Sequence, residues 1–161
     1  MSLPFQVKLV DQKGLGFDKS GLLLKTQFQE LKDYGYKIAL RNCLSGTDSE
    51  WINDVKSALE TGLSVGIYQG YYSPYWADLS EATKRANFAI SRANMVDYPY
   101  HGTIWLDAEG IGSNSHQQII DWINIWSKIV RDAGFGAGVY CGYNTLTGDE
   151  YYYDLTYITH Y

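Results

Sequence analysis

The chain reads as an α/β protein built on a parallel sheet, and three observations carry that expectation. Short apolar runs with a period of two alternate with segments of helical period along the 161 residues, the pattern of successive β/α units. Helix starts are marked by hydroxyl or acidic caps and helix ends by glycines. No internal repeat, low-complexity tract or linker breaks the alternation, so one domain over residues 1–161 is expected, large enough for a substantial core.

A strand-like Val7–Val10 comes first, followed by the glycine-bounded Gly14-Leu15-Gly16-Phe17-Asp18-Lys19-Ser20. There Asp18 ends an inward row while Leu15 and Phe17 face outward. Leu24, Phe28 and Leu31 recur at helical spacing and predict a helix ending at Tyr34-Gly35. Lys37–Arg41 is the second strand. Thr47 or Asp48 caps a second helix, whose Trp51, Ile52, Val55, Ala58 and Leu59 form one apolar face and which stops at Thr61-Gly62. The third strand, Leu63–Tyr71, sets Gly66, Tyr68 and Gly70 on one side and Val65, Ile67 and Gln69 on the other. After a Ser73-Pro74 turn, a helix from about Leu79 to Val96 carries Ala82, Ala86, Ala89, Ile90 and Ala93, small enough to lie close to a sheet. Ser115 caps a further helix over His116–Ala133, with Ile119, Ile123, Trp126 and Val130 as its core row. Gly136–Tyr143 is the fifth strand, and Leu155–Tyr161 a last strand-like run.

Between the third and fourth helices lies Thr103-Ile104-Trp105-Leu106-Asp107-Ala108-Glu109-Gly110. Alternation puts Trp105, Asp107 and Glu109 on one face and Ile104, Leu106 and Ala108 on the other. An apolar row suits helices packed on the sheet. Two acids at the carboxyl end of the opposite row suit an active site, because parallel α/β folds place their chemistry there. The same short pattern also describes a strand that ends in solvent with two surface acids.

The net charge of −5 and the lack of a basic patch argue against a nucleic-acid partner. Aromatic residues make up 16%, with 15 Tyr and 5 Trp, more than a core requires. Rings with a polar handle suit a half-wet groove that stacks on sugar C–H faces, and equally a β-rich surface. Cys43 and Cys141 lie far apart; they form no metal spacing and leave a disulfide open. His101, His116 and His160 are scattered, so no metal site and no cofactor are expected. The first residues, Met1-Ser2-Leu3-Pro4-Phe5-Gln6, show no signal peptide, and no run approaches the roughly 18 apolar residues of a membrane span.

Four stretches then fall in a recognisable order: Gly16-Phe17-Asp18-Lys19-Ser20, Gly62-Leu63-Ser64-Val65-Gly66-Ile67-Tyr68, Leu106-Asp107-Ala108-Glu109, and Trp126 through Tyr140. From Gly16 onward the chain resembles the family 25 glycoside hydrolases (Chalaropsis-type lysozymes) and the uncharacterised glycoside-hydrolase-like barrel domains related to them. The resemblance implies a TIM-like (β/α) barrel of the family 25 type. It implies a lysozyme-type N-acetylmuramidase that cleaves β-1,4 bonds of bacterial peptidoglycan, outside the cell at the wall. Glu109 matches the general acid, Asp107 its partner carboxylate and Asp18 a further acid at the end of strand one. The chemistry is coherent: a glycosidic oxygen leaves poorly without a proton, and crowded carboxylates raise one pKa so that one acid stays neutral. Tyr68 and Tyr140, on inward rows, join Trp105 and Arg41 as expected substrate-binding residues, with plain barrel filling the competing role for the two tyrosines.

Two departures favour a second reading. Arg41-Asn42-Cys43-Leu44-Ser45-Gly46 stands where the lysozymes carry a T-E-G-like turn, closer to the uncharacterised relatives. Leu155–Tyr161 looks like the sixth barrel strand with the last two strands missing, an open edge that invites self-association. The alternative is therefore a catalytically weak or inactive module that binds cell-wall glycan on the same fold. A chitinase-type D-x-D-x-E strand would need an acid where Trp105 stands.

Overall fold

The computed structural model describes residues 14–70, 74–109, 114–141 and 155–159. Within them five strands, β1 (Leu15–Lys19), β2 (Tyr36–Asn42), β3 (Ser64–Gly70), β4 (Thr103–Asp107) and β5 (Gly136–Tyr140), pair in sequence order, every pair parallel. Four α-helices join them: α1 (Lys25–Asp33), α2 (Asp48–Glu60), α3 (Leu79–Met95) and α4 (His116–Asp132). Sequential parallel strands with a helix after each of the first four form a barrel-like α/β arrangement.

The register assigns each side chain to a face, because paired residues on neighbouring strands lie on the same side. Phe17–Ala39–Val65, Lys19–Arg41–Ile67–Ile104–Ala137 and Gln69–Leu106–Val139 form rows on one side. All four helices reach that side. Phe28 of α1 meets Phe17, Asp54 of α2 grips Arg41, and Gln69 takes both the Arg85 carbonyl of α3 and the Trp126 indole of α4. Ile67, Ile104, Leu106 and Ala137 are fully buried there. Burying one such side chain stabilises by about 1.5–3 kcal/mol, which sets the register firmly.

The helix signals act as expected. Thr47 accepts from the Glu50 N–H while the Glu50 carboxylate accepts from the Thr47 N–H at 2.7 Å, a capping box. Ser115 and Gln118 repeat it on α4, and Asp78 caps α3 through Ser80. Gly35, Gly62 and Gly134 follow α1, α2 and α4 at positive φ, the left-handed turn that ends a helix without a Cβ penalty. In α1 the N-cap is Leu24, whose N–H is taken by Gln27 instead.

Three expectations fare differently. Val7–Val10 lies outside the described residues. The expected Ser73-Pro74 turn runs on into a 3₁₀ turn, Pro74–Ala77, which buries Trp76 against Trp122 at 4.7 Å between centroids. The described part of the expected sixth strand, residues 155–159, forms no strand. Thr159 meets β5 at Ala137, where its N–H and hydroxyl both donate to the Ala137 carbonyl and the hydroxyl accepts from the Ala137 N–H. Among the described residues no helix is long and apolar enough to cross a membrane.

Candidate functional site

On the side away from the helices the rows are Asp18–Leu40–Gly66, Asn42–Tyr68–Trp105–Gly138 and Gly70–Asp107–Tyr140. These rows approach the carboxyl end of the sheet and enclose a cavity of about 350 Å³. Its walls are Asp18, Leu40, Tyr68, Trp105, Asp107 and Tyr140, completed by Val139 and Cys141. Five of the seven residues expected from sequence to form a site therefore share one cavity: Asp18, Asp107, Tyr68, Trp105 and Tyr140.

Glycines on the neighbouring strands make room for the large side chains. A Cβ on Gly138 would come within 2.5 Å of the Trp105 ring, and one on Gly66 within 2.5 Å of Leu40 Cδ2. The Trp105 indole thus lies across the β5 backbone, and Leu40 lies across β3. Asn42 fixes the next level, its side-chain oxygen accepting from the N–H groups of Leu44 and Gly70. That hydrogen bond ties the end of β3 to the end of β2 one step before Asp107's row.

The two aspartates meet different surroundings. Asp18 is exposed near the end of β1, at one edge of the described sheet, and Asp107 is buried at 7% exposure on β4, between β3 and β5. Their charges meet at Tyr68, whose pKa is pushed up to about 12. Burial is the largest cause, Asp18 and then Asp107 add to it, and Arg41 works against them. Tyr68 therefore remains a hydrogen-bond donor at every physiological pH. Tyr140 is 59% exposed and forms an outer wall.

Glu109 stands two residues beyond the last β4 residue and is partly exposed; it is not among the residues lining the cavity. The β4–β5 ladder extends one step past the strand, from the Ala108 N–H to the Tyr140 carbonyl at 2.8 Å. Glu109 lies close enough to Cys141 for its charge to raise that thiol's pKa, second to burial. It is thus near the rim on the Cys141 side. Both cysteines are free, so no disulfide joins them; burial pushes the Cys43 thiol up to about 12.

Arg41 does not join the group. It follows the cavity-lining Leu40 and so points to the helix side, fully buried, with Nε 2.7 Å from Asp54 Oδ2. Its remaining N–H groups donate to the carbonyls of Lys19 and Gly21, just past Asp18. Asp54, in turn, accepts from the Leu23 N–H. The guanidinium therefore clasps the end of β1 and the turn after it, holding Asp18's strand end from behind. Sequence reasoning overlooked Asp54, although the signal was present: it lies three residues after Trp51 and four before Ala58, on the apolar face of α2. An acid at such a position requires a buried partner. Cys141 was also missed as a wall, because the expected strand Gly136–Tyr143 put it on the face opposite Tyr140, whereas the strand ends at Tyr140.

Among the described residues no three His, Cys, Asp or Glu side chains stand together as metal ligands. What the cavity offers is two carboxylates set among three aromatic rings. A family model described as Rv2525c-like, glycoside hydrolase-like domain matches residues 29–159. None of the curated proteins matches the chain.

Proposed function

Since the chain belongs to the Rv2525c-like, glycoside hydrolase-like family, we propose that it is a cell-wall glycan-binding module on a hydrolase-like scaffold, with weak or no catalysis. One observation carries this reading: the cavity that gathers Asp18 and Asp107 between Tyr68, Trp105 and Tyr140 does not include Glu109 in its walls. Sugar rings present C–H faces that stack on aromatic rings, and their hydroxyls donate to carboxylates. A concave site with apolar walls and a few convergent polar groups is the usual form of a small-ligand site. The partner is peptidoglycan or a related glycan, met outside the cell.

Hydrolysis is the second reading, favoured by the position of Glu109 two residues past Asp107, near the cavity-lining Cys141. In a lysozyme-type reaction Glu109 would donate its proton to the leaving glycosidic oxygen as the C–O bond breaks. Asp107, supported by Asp18, would stabilise the cationic sugar until water adds.

A bacterial cell-wall suspension separates the two. Retention of the protein on the walls without clearing is expected, and Glu109→Gln should be retained equally well. Clearing that Glu109→Gln reduces by about 10²–10⁴-fold, the usual worth of a general acid, would make the protein an enzyme and overturn the binding-module reading. Failure to be retained at all would remove both.

A further inference from the structure

Asn42 stands in one row with Tyr68 and Trp105 and two residues after Leu40, and all three of those neighbours wall the cavity. Alternation therefore turns its side chain to the cavity's side of the sheet, at the carboxyl end, while Arg41 before it turns to the helices. The two ends of the Asn42 amide do different things. Its oxygen accepts from the Leu44 N–H at 3.1 Å and from the Gly70 N–H at 3.3 Å. Both partners are donors, so they fix which end of the amide is oxygen and which is nitrogen.

The nitrogen makes no hydrogen bond among the described residues, although Asn42 is only 8% exposed. Nor is that nitrogen sealed off, since part of its surface remains open to solvent. Because the side chain lies on the cavity's side, the opening does too. One end of a nearly buried amide thus holds the backbone, and the other presents two N–H donors already oriented before a ligand arrives.

Those donors complement the cavity walls. Asp18 and Asp107 carry carboxylates, which accept hydrogen bonds and so suit sugar hydroxyls. An oxygen that only accepts, such as an amide carbonyl, gains nothing from a carboxylate and needs an N–H or O–H. Resting on the glycan-binding reading, we infer that Asn42 is a further binding residue of this site, donating through its side-chain N–H groups to the acetamido carbonyl of an N-acetylated sugar.

Calorimetric titration of the full chain tests this with two β-1,4-linked tetrasaccharides, one of N-acetylglucosamine and one of glucose, which has a hydroxyl in place of the acetamido group. The acetylated tetrasaccharide should bind about three- to tenfold tighter, the worth of a neutral hydrogen bond. Asn42→Asp keeps an oxygen for the Leu44 and Gly70 N–H groups and removes the donors, so it should erase that advantage with circular dichroism retained. Asn42→Ala removes both ends and should lower the melting temperature as well. Equal binding of the two tetrasaccharides by the unaltered chain would overturn the inference. So would an advantage that survives in Asn42→Asp, which would leave Asn42 a positioning residue only. Binding of neither tetrasaccharide by a chain that cell walls still retain would overturn the inference alone. Loss of wall retention as well would overturn the glycan reading with it.

Discussion

On the helix side of the sheet Arg41 is fully buried, and both the cation and its partner Asp54 are enclosed by protein. On the opposite side Asp18 and Asp107 line an open cavity with no basic residue in its walls among the described residues. The backbone is the same and the residues are neighbours in sequence, yet one side encloses an ion pair within the protein and the other turns carboxylates toward an open cavity. The helix side illustrates the rule that a buried ion must be paired and hydrogen-bonded, here by Asp54 and two main-chain carbonyls. The cavity side instead gathers two carboxylates and three aromatic rings around an open space, the usual form of a binding site. Large residues are placed there over glycines, where a packed core would interlock them with other side chains.

Breaking the sealed side should have the largest effect. Asp54→Ala leaves the Arg41 guanidinium buried without its carboxylate, and a loss of about 3–5 kcal/mol in urea unfolding is expected. Replacing both partners, Arg41→Met with Asp54→Leu, should recover much of that, since the cost lies in the orphaned charge. A single-variant loss below about 1 kcal/mol, the range of an exposed pair, would mean that the two sides do not differ as argued.

The cavity side should respond in affinity. Gly138→Val places side-chain atoms where the Trp105 ring lies, since even a Cβ there comes within 2.5 Å of it. Displacing that ring should weaken retention on glycan about tenfold or more, the range of a central aromatic contact, with far-ultraviolet circular dichroism retained. Unchanged retention in a folded variant would take Trp105 out of the site.

The smallest effect sharpens the comparison at alkaline pH. Tyr68 in the cavity, and Tyr98 and Cys43 in the core, are each pushed up to about 12, chiefly by burial. Their folded pKa values exceed the unfolded ones, so the folded state holds the proton longer than the unfolded chain does. Stability from this source is complete below the unfolded pKa values and falls as pH rises from about 9–10 towards 12. Tyr68→Phe should make that fall shallower in urea titrations between those pH values. An unchanged slope would show that Tyr68 is less enclosed than its neighbours imply.

Much of this was legible along the chain, for local reasons. Thr47, Asp78 and Ser115 cap their helices because a short oxygen there satisfies an otherwise open N–H, which needs no tertiary partner. The opposite faces of Ile104 and Asp107 follow from the two-residue period of a strand, so the separation of core row and site row was already written in order. The same period assigns Arg41 to the helix side, one residue after the inward Leu40.

Other features required the strands to be laid side by side. That Trp105 rests over Gly138, 33 positions later, depends on the β4–β5 register, which no local pattern states. That Asp54 answers Arg41 depends on how α2 crosses the sheet. That Thr159 meets Ala137 of β5 depends on how the chain returns to the sheet after residue 155. Capping and alternation are settled within a few residues by backbone geometry, and these the sequence determined by itself. Pairing of charges, seating of rings and convergence of acids on one cavity join residues distant along the chain, so only tertiary structure could decide them.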